Sequence, residues 1–496
     1  MCGLVAIFDT RGRRPVDRPL LKAMTDALGH RGPDDDGFYH RGHVGLGHRR
    51  LSIIDLDSGH QPLANEDGTV WVAYNGEIYN FRSLMEELRD LGHTFRTQCD
   101  TEVIVHAWEQ WGARCVGKFR GMFAFALYDG NRDELFLARD RLGIKPLYYT
   151  LLPDGRLIAA SELKALMRVP ELPRDLDPVA VENYLAFGYV PDPQAIYAGV
   201  RKLPPAHIMT ISTAAPEPAS EAYWDVDFGI VSTAEPAELD SALRERLTEA
   251  VDMRLVADVP LGAFLSGGVD SSAVAAAMAR TQDAAINTCS ISFGEADYDE
   301  SRYAGMVADA FGTRHHTRTV TADDFDLLDR LAGIYDEPFA DSSALPTFRL
   351  CEEARRHVTV ALSGDGGDEL FAGYRRYRWH HYEEQVRGRM PGALRRPLFG
   401  MLGELYPKLD WAPKPLRAKS TLQAIARDTA DGYFQSVSVV GDALRDRLYT
   451  DSFKRSLQGY RAVDLVRHHM DRAPTDHYLS RVQYVDLKTY LPGDIL

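Results

Sequence analysis

The sequence predicts two successive domains, an α+β unit followed by an α/β unit built on a doubly wound parallel sheet. Three observations carry this. The chain has 496 residues, more than one core needs at ~100–200 residues per domain. The first two hundred or so positions mix short strands, tight turns and isolated helices. Past residue 235 the pattern becomes strand-then-helix alternation, the mark of a parallel sheet with helices on both faces.

In the first part, Val70–Tyr74 reads as an apolar strand running into a turn at Asn75-Gly76-Glu77. Asn80 then caps a helix with Leu84, Leu88 and Leu91 on one face, stopped by Gly92. Met122–Tyr128 and Glu134–Ala138 read as strands around the turn Asp129-Gly130-Asn131. Pro191, Pro193, Pro204, Pro205, Pro216 and Pro218 mark a Pro-rich stretch, and Ser212–Ala219 is filled by small residues. The linker is placed at 211–235, between domains at 2–210 and 236–496. In the second part, Leu261–Leu265 is a short strand before Ser266-Gly267-Gly268 and a helix. Thr288–Phe293 is the next strand, Glu300–Phe311 an amphipathic helix, and Val358–Leu362 a strand ending at Ser363-Gly364.

Composition narrows the function. Hydrophobic residues at 45% and charged residues at 26% are globular proportions, which excludes a disordered or fibrous chain. The net charge of −15 opposes general binding to nucleic acid or to an anionic membrane. No stretch approaches the ~20 apolar residues of a membrane span, and the N-terminus lacks a secretory signal. Cys2, Cys99, Cys115, Cys289 and Cys351 are scattered and odd in number, without metal or disulfide spacing. A reduced, cytoplasmic protein is expected.

Cys2 stands directly after the initiator Met1 and before the small Gly3. Loss of Met1 would join a thiol nucleophile and a free α-amine, a base of pKa ~7.7–8.0, in one residue. Asn75-Gly76 alone reads equally as a hairpin turn. Together, however, MCGLVAIF, HRGPDDDG (His30–Gly37), GHRRLSIID (Gly47–Asp55), YNGEIYN (Tyr74–Asn80) and CDTEV (Cys99–Val103) resemble the glutaminase domain of class II glutamine amidotransferases. Leu4 departs from the family's usual Ile or Val. The resemblance implies an N-terminal-nucleophile αββα sandwich, with Cys2 as nucleophile. Glutamine would be held by Arg50 at its carboxylate, by Glu77 and Asp100 at its ammonium, and along Leu51, Ser52, Ile53 and Ile54. Asn75 and Gly76 would supply the oxyanion donors.

Two glycine loops invite a phosphate reading. Gly112–Lys118 satisfies G-x-x-x-x-G-K, but Phe119 stands where a phosphate loop needs Ser or Thr, and a strand follows rather than precedes it. Ser266–Ser272, SGGVDSS, follows a strand and opens a helix, so backbone N–H groups can converge on an anion, with Asp270 suited to Mg2+. Read alone, it is also a glycine turn with a serine cap. Ser363–Glu369, SGDGGDE, is by itself a solvated acidic loop; beside SGGVDSS it reads as the other half of a magnesium–pyrophosphate site, with Asp270 and Asp368 as metal ligands. His315-His316 would face opposite sides of a strand and are read as structural.

SGGVDSS resembles the pyrophosphate loop of the ATP pyrophosphatases, and Asp336–Tyr374 resembles the synthetase domain of glutamine-hydrolysing asparagine synthetases. That resemblance implies ATP contacts at Leu265, Ser266, Gly267, Gly268, Asp270, Ser271, Ser272, Ile291, Ser363 and Gly364. It also ties Asp365 to formation of an acyl-adenylate. The expected reaction takes ammonia from glutamine and amidates ATP-activated aspartate, with AMP and pyrophosphate released. The expected partners are small molecules and a second copy of the chain, with no nucleic acid or membrane. Two alternatives stay open: another acceptor carboxylate (on a peptide, glycan or natural-product precursor), and a glutaminase with an inactive second domain. The family continues past the position of Leu496, so a C-terminally shortened form with weakened synthetase activity is expected.

Overall fold

The computed structural model describes residues 1–282, 284–294, 299–321, 327–407, 411 and 418–496. The first domain is built on two six-stranded sheets. The first runs, in spatial order, Arg201–Lys202, Tyr148–Leu151, Arg156–Ala160, Gly3–Asp9, Val44–Arg50, Asp35–Arg41. The second runs Ala219–Ala222, His207–Ser212, Glu134–Arg139, Gly121–Asp129, Val70–Ile78, Leu63–Ala64.

Strand alternation sorts the side chains into layers. Leu4, Ala6 and Phe8 meet Ala73, Ala124 and Leu137 in a core between the sheets. Val5 and Ile7 point the other way, toward Leu21, Met24 and Leu166 on outer helices. On the far face, Val72, Tyr74, Phe123 and Phe125 pack against Leu84, Leu88, Ile104 and Trp108. The result is the expected αββα sandwich.

Several local expectations change. Asn75-Gly76-Glu77 is not a turn: the strand continues through Ile78, pairing Asn75 with Ala124 and Gly76 with Phe123. The reason is tight packing, since a Cβ on Gly76 would lie 2.2 Å from the Met122 carbonyl oxygen. Gly76 therefore marks a close approach inside a sheet rather than a reversal. Asn80 does precede the helix Phe81–Asp90, but its side chain makes no cap. It bonds across to Lys118 O and Arg120 N instead. Leu91 stays half-exposed while Leu84 and Leu88 are buried. Inside the Pro-rich stretch, His207–Ser212 and Ala219–Ala222 form an antiparallel hairpin on the second sheet.

The third sheet is wholly parallel, ordered Arg314–Val320, Asn287–Phe293, Leu261–Phe264, Val360–Leu362. Ala263 and Leu265 pack with Val274, Met278 and Ala304 on one face. Phe264, Cys289 and Ala361 pack with Leu350 and Ala354 on the other. Helices thus cover both faces, as a doubly wound sheet requires. The first strand in sequence lies inside, with two later strands to one side and the last to the other. Connections leave in opposite directions between Leu261–Phe264 and Val360–Leu362, which makes a topological switch point. Beyond it the chain is helical. Tyr377, Tyr433, Val466 and Val485 close a core with Ala186, Phe187 and Tyr189 of the first domain, a joint that the alternation pattern does not announce.

Candidate functional site

The first candidate centre forms where Gly3–Asp9 begins. Cys2 stands at the mouth of that strand, and Arg31 fixes it by donating from Nε to the Cys2 carbonyl at 2.8 Å, while its Nη1 reaches Glu162 at 2.6 Å. Leu51 N donates to Cys2 Sγ at 3.4 Å, and Sγ lies 3.7 Å from Leu51 O. Burial pushes the Cys2 thiol up. Burial pushes the adjoining Met1 amine down to about 5.

A cavity of about 380 Å³ opens at Cys2 and is lined by Arg50, Leu51, Ile53, Ile54, Asn75, Gly76, Glu77 and Asp100. Ser52 is outside that lining, its N–H donated to Asp34 at 2.9 Å. Asn75 is 1% exposed, yet neither its Nδ2 nor its Oδ1 has a partner. A buried amide without hydrogen bonds costs free energy that a bound ligand would recover. Glu77 Oε1 is orphaned in the same way. Burial, with Asp100 beside it, pushes the Glu77 carboxyl up to about 7.

Asp100 opens the helix Asp100–Trp111 and accepts from Tyr74 Oη at 2.8 Å and Ile78 N at 2.9 Å. Burial raises its value as well. Two buried carboxylates at one cavity suit a cationic ligand group. Arg50 spends Nη1 and Nη2 on the carbonyls of Leu56, Ile54 and Asp55, which shapes the loop after its strand.

Sequence reasoning missed Lys145 and Met122 in this lining. Lys145 is 5% exposed, and burial followed by the Arg31 charge holds its ammonium below the ordinary value. Its turn is built on Asp140, whose carboxylate accepts from Phe123, Leu142, Ile144 and Lys145 N–H groups. In sequence, Asp140–Lys145 reads only as a turn. Also missed was the far wall, made by Phe264, Thr359, Val360 and Ala361 of the parallel sheet.

The second candidate centre sits at the C-terminal ends of the two strands flanking the switch point, where open α/β sheets bind ligands. Gly267 takes φ +84°, and a Cβ there would meet Tyr303 Cβ at 2.6 Å. The helix Val269–Thr281 begins after Gly268 without a side-chain cap, leaving its first N–H groups for an anion. Ser266 and Ser271 hydroxyls bond each other at 3.0 Å, and Ser272 Oγ is buried without a partner.

The acidic loop closes over this helix end. A Cβ on Gly364 would lie 2.7 Å from Ser271 N, and one on Gly367 would lie 2.6 Å from Asp270 Cγ. Only glycines allow that approach. Burial and then the Asp368 charge raise the Asp270 carboxyl, as expected of two carboxylates placed to share a cation. Asp365 is exposed and accepts from Ser363 Oγ at 2.6 Å. Leu265 is buried in the core and donates its N–H to Cys289 O at 2.9 Å, and Ile291 lies in the same neighbouring strand.

The rejected features keep ordinary roles. Gly112–Gly117 is a 3-10 turn, and Lys118 pairs with Glu87 at 2.7 Å. His315 bonds Thr288 and Ser290, while His316 stacks on His357. Among the described residues, no helix is long and apolar enough to cross a membrane.

Comparison with known proteins agrees with this division. Residues 1–224 match the glutamine amidotransferase domain family and residues 242–496 the asparagine synthase family. The chain is 35% identical to asparagine synthetase [glutamine-hydrolyzing] 1 of Bacillus subtilis, over 100% of this chain and 76% of that protein. It is 39% identical to a putative asparagine synthetase [glutamine-hydrolyzing] 2 of Methanocaldococcus jannaschii, over 75% of this chain and 76% of the relative. Amidase chry2 of Gibberella zeae is 29% identical, over 100% and 78% respectively. With two family models in tandem and full-chain identity to a named synthetase, the chain belongs to the glutamine-hydrolysing asparagine synthetase family.

Proposed function

We propose that the chain hydrolyses glutamine at Cys2, passes ammonia inward, and uses it to amidate ATP-activated aspartate, releasing AMP and pyrophosphate. The observation that carries this reading is that the cavity at Cys2 is walled by both domains. Cys2 and the orphaned Asn75 and Glu77 form one side, and Phe264 and Ala361 form the other. Phe264 stands two residues before Ser266, and Ala361 two residues before Ser363. The ammonia source therefore abuts the strands that carry both loops of the second centre.

In this reading the Cys2 thiolate attacks the glutamine amide carbon after its proton passes to the α-amine exposed by loss of Met1. Asn75 Nδ2 and Gly76 N–H stabilise the tetrahedral oxyanion. Glu77 and Asp100 hold the substrate ammonium, and Arg50 its carboxylate. In the second centre, Ser266–Ser272 N–H groups and hydroxyls bind the pyrophosphate portion. Asp270 and Asp368 would hold Mg2+, which neutralises phosphate charge when bound. Asp365 orients the activated carboxylate, and the backbone at Leu265, Ile291, Ser363 and Gly364 contacts the nucleotide. The first domain extends through the hairpin strand Ala219–Ala222, so the linker expected at 211–235 is confined to the residues between that strand and the helix Pro236–Asp252, in a cytoplasmic protein.

The decisive experiment is Cys2→Ala. Glutamate release and glutamine-dependent amide synthesis should vanish, while ammonia-dependent synthesis with AMP production stays at the level the native sequence shows. Continued glutamate release would overturn the assignment. A second reading keeps the ammonia and ATP chemistry and changes the acceptor carboxylate. Amide formation from aspartate against other carboxylates separates the two.

A further inference from the structure

Away from both centres, the outer helix Asp100–Trp111 faces the 92–97 segment and the Asn65–Thr69 turn across a group of imidazoles and carboxylates. We propose that Glu66, His93, His106 and Glu109 form a binding site for a divalent transition-metal ion of the Zn2+ class. Among the described residues, Glu66, His93 and His106 are the three ligand-type side chains whose donor atoms all lie within 4.8 Å of one another. Glu109 stands beside this trio, with one carboxylate oxygen facing both imidazoles. His106 Nδ1 is 3.2 Å from Glu109 Oε2 and 3.6 Å from Glu66 Oε2, and His93 Nδ1 is 3.9 Å from Glu109 Oε2. Tetrahedral Zn2+ with bonds of ~2.0–2.2 Å separates its ligand atoms by about 3.3–3.6 Å. The separations of His106 Nδ1 from Glu109 and Glu66 are close to that size, and an ion would draw His93 inward from its 3.9 Å.

The atoms behind the ligands are arranged as metal sites require. Each carboxylate has one oxygen tied and one aimed inward. Glu66 Oε1 accepts from Thr94 N at 3.0 Å, and Glu109 Oε1 accepts from Asn65 Nδ2 at 2.7 Å. His93 Nε2 faces the side-chain amide oxygen Oε1 of Gln110 at 3.2 Å, and donating to that acceptor puts the proton on Nε2 and leaves the Nδ1 lone pair toward the cluster. His106 is 0% exposed, and its Nε2 has no hydrogen-bond partner; the nearest carboxylate oxygen, Glu102 Oε1, stands 3.5 Å away. Glu102 is itself locked by the N–H groups of Arg96 and Thr97. Three carboxylates against two imidazoles leave negative charge that a bound cation balances, and imidazole with carboxylate ligands suits Zn2+. Such an ion would tie two loops to the helix whose first residue, Asp100, lines the glutamine cavity.

The test uses the full 496-residue chain and the double variant Glu66→Gln with His93→Gln. These two side chains are partly exposed, and Gln at position 66 keeps the acceptor for Thr94 N. Chain stripped by a chelator is loaded with ZnCl2, desalted, and its zinc measured by mass spectrometry; a parallel sample is loaded with CoCl2 for visible spectra. The proposal expects one more ion per chain in the native sequence than in the variant. It also expects intense tetrahedral Co2+ absorption and a Zn2+-dependent rise in Tm, both lost in the variant. Equal zinc in the two forms, which would make the cluster a protonated-histidine ion network only, overturns it. So does a weak, octahedral Co2+ spectrum.

Discussion

Replacing Glu77 by Gln should make the protein more stable above neutrality and poorer at binding glutamine. The Glu77 carboxyl is 7% exposed and is pushed up to about 7 from an ordinary 4.5, first by burial and then by Asp100. Between those two values the folded chain holds a proton that the unfolded chain has released. The unfolded state binds fewer protons there, so stability falls as pH rises from about 4.5 to about 7 and stays lower above. A shift of that size at 1.36 kcal/mol per unit costs about 3 kcal/mol. Gln carries no charge, so the variant should match the native sequence near pH 4 and exceed it by up to about 3 kcal/mol near pH 8. For a domain of this size that corresponds to several degrees of Tm. The gain has a functional cost. Losing a charged partner for the substrate ammonium removes ~1.5–3 kcal/mol, a rise of ~10–150-fold in KM for glutamine. Thermal melts of both forms across pH, with and without glutamine, and glutamate-release kinetics measure the two effects. A stability difference that does not change with pH would refute the buried-carboxyl argument. An unchanged KM would refute the ammonium contact.

The remaining expectations divide along the two centres. Asn75→Ala removes an unpartnered buried amide at the cavity and should cut glutamine-dependent kcat by ~10²–10³, leaving ammonia-dependent synthesis intact; parallel assays with glutamine and ammonium check it. Gly367→Ala places a Cβ 2.6 Å from Asp270 Cγ and should abolish amide synthesis while glutamate release continues; loss of both activities would point to misfolding, which circular dichroism detects. With ATP, Mg2+ and acceptor, chromatography should find AMP and pyrophosphate as products, and ADP as the main product would refute the pyrophosphate-loop reading of Ser266–Ser272.

Much of this protein is local in origin and therefore legible in sequence. Chemistry that depends on one short segment shows itself in residue order: Cys2 behind a removable Met1, SGGVDSS between a strand and a helix, SGDGGDE after the next strand. The two-domain division follows from chain length and from the switch to strand-then-helix alternation past residue 235, because the type and order of elements are set by short segments. The strand-helix alternation likewise implied helices on both faces of a parallel sheet, and the packing on either side of Phe264 agrees.

Tertiary structure decided what depends on neighbours distant in sequence. Asn75-Gly76 has the residues of a turn, yet the opposing Gly121–Asp129 strand draws it into a ladder, and only then is Asn75 buried without partners. Lys145 enters the cavity because Asp140 gathers three N–H groups of its own turn and ties them to Phe123 N of a neighbouring strand, a pattern with no periodic signal. The cavity wall of Phe264 and Ala361 comes from residues that, in sequence, read only as apolar strand positions. Residue order specifies which groups are available and which segments are helix or strand. The coincidence of Cys2, Lys145 and Ala361 around one cavity is a product of packing between sheets, and packing energy depends on surfaces that no single segment contains.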